Sequence, residues 1–241
     1  MGKVIMISSG KDGVGKSSLA ALLAEVYCEK GKTVLIIEFE NGLRSQNLYV
    51  NSTDSLFDLS DVLNGRCELD DAVATSSLSA KLKVLFAGNT RESLNRDLFE
   101  PLLLTQVDKY DIVLIDTDSS DETISVVSSF SMYNLIVSTN DRSGIQDSKY
   151  ICDLLYEKNA PNVRLVLNRI KPDYIKRGAA SNLDDCIDTI GAQLIGVIPE
   201  NIDLAYSTNN GKRLNKKSLI HEIISNITER LDGSNVPLSY M

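Results

Sequence analysis

The chain has few of the residues from which metal centres, disulfide scaffolds and membrane anchors are built. It contains one histidine, His221, and four widely separated cysteines that form no C-x-C or C-x-x-C pair. Such cysteines are typical of buried thiols in a reducing compartment. The place of His221 in the last predicted helix favours a packing or surface role over catalysis. No apolar stretch approaches the length of a membrane span, and no signal-peptide core follows the N-terminus. We therefore expect a cytoplasmic protein.

An excess of positive charge is also absent. The formal net charge is −8, so the chain as a whole does not favour nucleic acid as a partner. One local basic cluster occurs near the C-terminus, and we interpret it as the solvated start of a helix; binding of nucleic acid or of an acidic partner is the weaker alternative. The cluster consists of Lys212, Arg213, Lys216 and Lys217.

Short apolar runs rich in β-branched residues alternate with longer segments of helical periodicity. With 241 residues and no repeats or long linkers, the chain suits a single α/β domain spanning 1–241. Strands are predicted at 3–8, 33–38, 82–87, 110–116, 134–139, 163–168 and 193–198, and helices at 16–30, 55–64, 93–108, 122–131, 145–157, 181–190 and 217–231. The pattern predicts a doubly wound, mostly parallel sheet of seven or eight strands with helices on both faces. Its ligand site lies at the carboxyl ends of the strands.

A complete phosphate-binding loop follows the first predicted strand. Residues 10–17 match G-x-x-x-x-G-K-[ST], and a helical pattern begins directly after them. In such a loop the lysine reaches the β- and γ-phosphates, and the terminal hydroxyl can bind Mg²⁺. The loop therefore predicts nucleotide binding. Its predicted binding residues are Gly10, Lys11, Asp12, Gly13, Val14, Gly15, Lys16, Ser17 and the adjoining Ser18.

Several motifs together resemble the MinD/ParA family of deviant Walker A P-loop ATPases, and its MinD branch more than the others. Lys11 fills the position of the extra lysine in the family pattern K-G-G-V-G-K-[ST]. Residues 37–44 (I-E-F-E-N-G-L-R) are similar to the stretch that runs D-F-D-x-G-L-R in MinD. Residues 111–116 look like the Walker B strand, and 196–200 match G-V-I-P-E. The resemblance extends from about residue 1 to 235.

The resemblance implies an ATP-dependent homodimer in which two subunits enclose two ATP molecules. Lys11 would reach the partner's nucleotide and stabilise its phosphates, as an arginine finger does; a solvated loop lysine is the alternative. Lys16 would act on the phosphates within its own subunit. Ser17 and Asp116 would hold Mg²⁺, although Asp116 could instead cap the turn that follows its strand. Glu40 falls where the family keeps the acid that orients the attacking water.

The adenine side of the site is implied at the ends of two later strands. Asn168 would meet the adenine, Arg169 belongs to the same strand end as a further predicted binding residue, and the backbone near Pro199 and Glu200 would close that pocket. No N-K-x-D guanine motif follows, so we expect ATP or ADP rather than a guanine nucleotide.

Departures from the family pattern cluster around the expected γ-phosphate. Asp12 replaces a glycine; its carboxylate either repels the phosphates or points outward to pair with Lys11. Glu38 and Glu40 replace aspartates, and residues 118–120 (D-S-S) replace Pro-Ala-Gly. A displacement of about 1 Å can cost a hundredfold in rate. We therefore expect hydrolysis to ADP and phosphate that is slow or lost.

The last predicted helix carries an apolar stripe of the kind that packs in a core. MinD ends in a basic amphipathic helix on the membrane, whereas Glu222, Glu229 and Asp232 are among the other positions here, so we expect that membrane-targeting helix to be missing. Recruitment to the membrane or to a cell pole would then require a partner protein. The stripe consists of Leu219, Ile220, Ile223, Ile224, Ile227 and Leu231.

The resemblance favours a MinD-like ATP switch that positions cell-division or surface machinery through partner proteins. The helix bearing Asp147 is where MinD binds its activating partner, so we expect a regulatory or cargo protein there. One alternative is a non-hydrolysing nucleotide-bound scaffold resembling the TadZ branch that localises pilus assembly. A second is a DNA-partition ATPase, which a gel shift with ATP would detect.

Overall fold

The sheet at the centre of the protein is mostly parallel. The computed structural model describes residues 2–39, 45–53, 55–86, 88 and 94–238. The strands within these ranges are β1 (Lys3–Ser8), β2 (Val34–Glu38), β3 (Ala74–Thr75), β4 (Leu82–Phe86), β5 (Ile112–Asp116), β6 (Tyr133–Ser138), β7 (Val163–Ile170) and β8 (Gln193–Pro199). They form one sheet in the order β3-β4-β2-β5-β1-β6-β7-β8. Every pair is parallel except β3 with β4.

Helices cover both faces of this sheet. They are α1 (Lys16–Glu29), α2 (Ser45–Val50), α3 (Leu59–Leu63), α4 (Leu69–Ala72), α5 (Arg96–Lys109), α6 (Asp121–Ser128), α7 (Arg142–Glu157), α8 (Pro172–Lys176), α9 (Leu183–Ile190), α10 (Ile202–Asn209) and α11 (Leu219–Leu231). Helices α1 and α11 contribute to the core on one face. Helices α5, α6, α7 and α9 contribute to the core on the other. Because both faces are covered, β2 and β5 are buried along their whole length, which accounts for their continuous apolar sequences.

The predicted fold class is confirmed, and all seven predicted strands are present within a few residues. The strand β3 and the helices α2, α4, α8 and α10 were not predicted. Helix α7 starts at Arg142 rather than at 145, since the side chain of Asp141 caps it by accepting a hydrogen bond from the N–H of Gly144.

The last helix packs as a core element, as predicted. In α11 the side chains of Ile220, Ile223, Ile224, Ile227 and Leu231 are buried, and the helix packs on α1 and β8. Leu219 is a correction: it is 42% exposed, because it occupies the first position of the helix, beside the N-cap Ser218. None of the helices in the described ranges combines the length and apolar character needed to cross a bilayer.

Candidate functional site

The loop between β1 and α1 is shaped by two glycines. Gly13 and Gly15 have φ values of 75° and 101°, in the left-handed region that favours glycine. Gly15 is the N-cap of α1. A Cβ at Gly15 would overlap the side-chain amide of Asn168, so this position also lacks room for a side chain. The loop thus leads into the N-terminus of α1, where free backbone N–H groups and the helix dipole favour an anion.

Lys16 brings a buried positive charge to the end of this loop. The residue is 7% exposed, although lysine is rarely buried without a charged partner. Its Nζ lies 3.1 Å from Ser9 Oγ and 3.4 Å from Ser119 Oγ. Its carboxylate contact is with Asp12, 3.5 Å away. A buried ammonium surrounded mainly by hydroxyls is well suited to bind a phosphate.

Of the two arrangements considered from the sequence, the pairing of Asp12 with Lys11 is wrong, because Lys11 contacts Asp141 and Ser143 instead. Its φ is not among the positive values of the described non-glycine residues, so the backbone accepts a side chain here without strain. Its Oδ1 contacts the Nζ of Lys16 and accepts a hydrogen bond of 3.0 Å from Ser119 Oγ. The carboxylate therefore faces the phosphate-binding lysine and does not pair with Lys11.

Lys11 is directed toward the start of α7 in its own chain. Its Nζ donates to Ser143 Oγ at 2.8 Å and lies 3.7 Å from Asp141 Oδ1. The Thr139 hydroxyl, the Gly144 N–H and the nearby Lys11 hold the pKa of Asp141 well below its usual range. Asp141 is therefore a stable anion at neutral pH. Lys11 and Asp141 are both partly exposed, so water weakens the attraction between their charges.

Two buried carboxylates lie side by side next to the loop. Glu38 and Asp116 are register partners on β2 and β5, and each is 1% exposed. The fully buried Gln46 connects them to α1. Its Nε2 donates to Asp116 Oδ2 and to the carbonyl of Ser17, both at 2.9 Å, and its N–H donates to Glu38 Oε1 at 3.1 Å. Neighbouring carboxylates near a helix N-terminal hydroxyl fit the oxygen donors that Mg²⁺ prefers.

The residues predicted for the adenine side meet at the ends of β7 and β8. Asn168 donates from Nδ2 to the carbonyl of Val14 at 2.7 Å, so it also supports the phosphate loop. Arg169 is exposed and has a left-handed φ of 57°. Pro199 pairs with the end of β7, and Glu200 forms an ion pair of 2.5 Å with Lys171. The predicted contacts with adenine stay predictions.

The structure brings together most of the predicted site. Glu40 is the exception, since it lies outside the described residues. The sequence analysis missed Gln46, Ser9 and Ser143, which now contact the predicted residues. Ser9 could have been predicted from the sequence, because it lies directly before the phosphate-binding motif. Neither Gln46 nor Ser143 belongs to a motif, and tertiary folding alone places them.

The helix that bears Asp147 packs directly on the phosphate loop. A Cβ at Gly10 would overlap the backbone of Asp147, so the loop and α7 approach each other as closely as only a glycine allows. Together with the Lys11–Ser143 hydrogen bond, this contact joins α7 to the loop. A displacement of α7 would therefore also move the phosphate loop.

Two members of the basic cluster near the C-terminus contact groups of the chain itself. Lys216 lies 3.1 Å from Glu29, and Arg213 donates to the carbonyl of Leu78. His221 Nε2 lies 2.9 Å from the same Glu29, far along the chain from the phosphate loop. The predicted packing or surface role of His221 stays a prediction.

Comparison with known proteins agrees with this geometry. The model of the "CobQ/CobB/MinD/ParA nucleotide binding domain" matches residues 5–214. The septum site-determining protein MinD of Synechocystis sp. is 28% identical over 244 residues, covering 98% of this chain and 92% of that protein. The MinD cell division protein of Aquifex aeolicus superposes with a TM-score of 0.87 at 29% identity, covering 98% of this chain and 99% of that one. The MinC:MinD complex from the same organism gives 0.86 at 30% identity, covering 98% of both chains.

These matches span nearly the whole chain and include the loop, the buried lysine and both strands that carry the carboxylates. The resemblance seen in the motifs is thereby confirmed. The chain belongs to the CobQ/CobB/MinD/ParA family of nucleotide-binding domains.

Proposed function

We propose that the protein is a MinD-like switch that binds Mg²⁺ and ATP and dimerises in the ATP state. The buried ammonium of Lys16, at the end of a loop with two left-handed glycines, carries this proposal. It provides a compact positive site for a polyphosphate beside the N-terminus of α1. Asn168 and Pro199 mark the side on which the base would lie.

Mg²⁺ would be held by the Ser17 hydroxyl and the Asp116 carboxylate, with Glu38 beside them. When bound, the ion supplies positive charge that neutralises the phosphate oxygens. Gln46 orients Asp116 through its amide and ties the strand end to α1. Lys16 supplies charge to the phosphates from the loop side. This separation of the two cationic positions follows the usual arrangement in P-loop sites.

Lys11 is the proposed link between ATP binding and dimerisation. In the single chain it contacts Ser143 and Asp141, and it would leave them to reach the nucleotide of a partner subunit. The contacts it gives up are partly exposed, so their loss costs little. A triphosphate on the partner offers more negative charge than Asp141 alone, which favours the dimer in the ATP state.

A regulatory or cargo protein is proposed to bind at α7. The helix presents Gln146 and Tyr150 to solvent, while the backbone of Asp147 packs against Gly10. A partner on this helix would act on the loop through that contact. The Aquifex aeolicus MinD is found in a complex with MinC. Positioning of division or surface machinery is the process that we propose for this chain.

A non-hydrolysing scaffold is the second candidate function. The contact of Asp12 with Lys16 favours it, because a carboxylate beside this lysine opposes the charge stabilisation at the γ-phosphate that hydrolysis requires. Turnover of radiolabelled ATP by the purified protein separates the two candidates. A slow, measurable rate supports the switch, and none above background supports the scaffold.

The proposal is tested by calorimetric titration with ADP and ATP in Mg²⁺, beside the solution mass in each state. We expect binding of both nucleotides and a doubled mass with ATP. Lys16→Ala should abolish binding, and Lys11→Ala should bind ATP yet stay monomeric. Lys109→Ala is the matched control: this partly exposed lysine lies at the C-terminal end of α5, at the opposite edge of the sheet. It should behave as the wild type.

Two results would contradict the proposal. Absence of nucleotide binding by the folded wild type removes the function altogether. Normal ATP-dependent dimerisation of Lys11→Ala removes the role of Lys11 and leaves nucleotide binding intact.

A further inference from the structure

Two of the departures from the family pattern are in direct contact with each other. Asp12 stands in the phosphate loop, and Ser119 stands in the segment after β5. Although 107 positions apart, they share a hydrogen bond of 3.0 Å from Ser119 Oγ to Asp12 Oδ1. Both also contact the Nζ of Lys16, at 3.5 Å from the carboxylate and 3.4 Å from the hydroxyl.

The three groups form a closed triangle around the phosphate-binding ammonium. Lys16 donates toward Ser119, Ser119 donates to Asp12, and the negative charge of Asp12 lies beside Lys16. The buried ammonium of Lys16 therefore has a carboxylate beside it before any ligand binds. Ser120, next in sequence, is tied to Asp118 at 2.8 Å and caps α6, which holds the segment in place.

We infer that Asp12 is an internal anion that occupies the γ-phosphate side of the site and sets the preference between ADP and ATP. This inference rests on the proposed nucleotide binding. Asp12 contacts Lys16 together with Ser119, which lies in the segment after the strand that ends at Asp116, the proposed Mg²⁺ ligand. A third phosphate must displace the Asp12 carboxylate from Lys16, whereas a diphosphate ends before that point.

The direction of the effect follows from charge. ATP places its terminal phosphate near Asp12 and so meets repulsion that ADP largely avoids. The chain should therefore bind ADP more tightly, relative to ATP, than a variant without this charge. The Asp12 side chain is 86% exposed, so water screens the effect. We expect a change of about tenfold in the ratio of affinities, equivalent to about 1.4 kcal/mol.

The test compares the dissociation constants of Mg·ADP and Mg·AMPPNP for the wild type and Asp12→Asn. The asparagine keeps the size and the acceptor for Ser119 while removing the charge. We expect AMPPNP to gain about tenfold relative to ADP. Glu122→Gln is the matched control, because it removes one exposed negative charge from the first turn of α6. It should leave the ratio within about twofold of the wild type.

Ser119→Ala provides an independent variant that leaves the phosphate loop unchanged. It removes the hydroxyl that holds Asp12 and should shift the ratio in the same direction by a few-fold. If the two residues act as one unit, the double variant should shift the ratio by less than the product of the single effects. Inorganic tripolyphosphate and pyrophosphate, titrated in the same way, should show the same trend without the base.

The outcomes separate this inference from the proposed function. If the wild type binds neither nucleotide, the proposed function fails. If it binds both and Asp12→Asn leaves the ratio unchanged, or changes it no more than Glu122→Gln does, the role of Asp12 is wrong while the switch stands. Preferential gain for ADP in Asp12→Asn would also overturn the inference.

Discussion

Gln46 offers a sharp test of the carboxylate site, because one buried amide serves three elements. In Gln46→Leu the side-chain volume changes little, but Asp116 and the Ser17 carbonyl lose their donor. A hydrogen bond to a charged group contributes about 1.5–3 kcal/mol, and one to a neutral group about 1 kcal/mol. The expected loss is therefore about 3 kcal/mol in the free energy of unfolding. For a chain of this size the melting temperature would fall by about 6–12 °C.

Gln106→Leu is the matched control, because it replaces a buried glutamine that donates to no charged group. Gln106 is 1% exposed, but its Nε2 contacts only neutral groups, the Leu102 carbonyl at 3.4 Å and the Thr105 hydroxyl. Among the described residues, the Oε1 atoms of both glutamines lack a hydrogen-bond partner, so relief of that cost is common to the two variants. The difference between them reports the donor to Asp116. We expect Gln106→Leu to change stability by less than about 1 kcal/mol.

Urea unfolding of the nucleotide-free protein, followed by circular dichroism, measures both variants. Equal losses in Gln46→Leu and Gln106→Leu would refute the reasoning, since they would mean that the amide does not stabilise the buried carboxylate. A second measurement adds Mg²⁺ and ADP. If Asp116 holds the cation, bound Mg²⁺ stabilises the carboxylate in place of the lost hydrogen bond. The difference in unfolding free energy between Gln46→Leu and the wild type should then become smaller.

Three further predictions follow from the geometry. Gly15→Ala should destabilise the fold by about 2 kcal/mol or more and abolish nucleotide binding, because φ is left-handed and the new Cβ meets Asn168; wild-type affinity would contradict this. Asp141→Ala should cost about 1 kcal/mol at neutral pH by removing the cap of α7. Because the folded-state pKa of Asp141 is below its ordinary value of 3.8, the charge-dependent part is present above pH 4 and declines at lower pH, so the gap in urea midpoints should narrow on acidification. Ile227→Ala should cost about 2–5 kcal/mol, since α11 is a core helix; a loss below 1 kcal/mol would indicate a loosely attached helix.

Two side-chain contacts join the phosphate loop to the rest of the chain. Lys11 connects the loop to α7 through Ser143, and Asp12 connects it to Ser119 after β5. Both are formed by exposed side chains, so neither is strong in water. Such contacts are easily exchanged for contacts with phosphate or with a second subunit, which suits a protein that alternates between two states.

Much of the fold was already readable from the order of apolar runs. Continuous Val, Ile and Leu segments separated by helical patterns admit few arrangements other than a parallel sheet covered on both faces. The phosphate loop was equally clear, because its glycines and Lys16 are consecutive in the chain and their chemistry is local. The apolar stripe of α11 identified a core helix for the same reason, since its period of 3.6 residues is a local property.

The partners of each charged side chain were decided by tertiary structure. The sequence offered Asp12 the phosphates or Lys11, and the fold placed it beside Lys16 and Ser119, which are brought near by the pairing of β1 with β5. Gln46 carried no motif, yet it lies between two strand ends and α1. A strand or helix records its own buried face in its periodicity, whereas a contact across many residues depends on register and loop geometry. Those long-range contacts control the site.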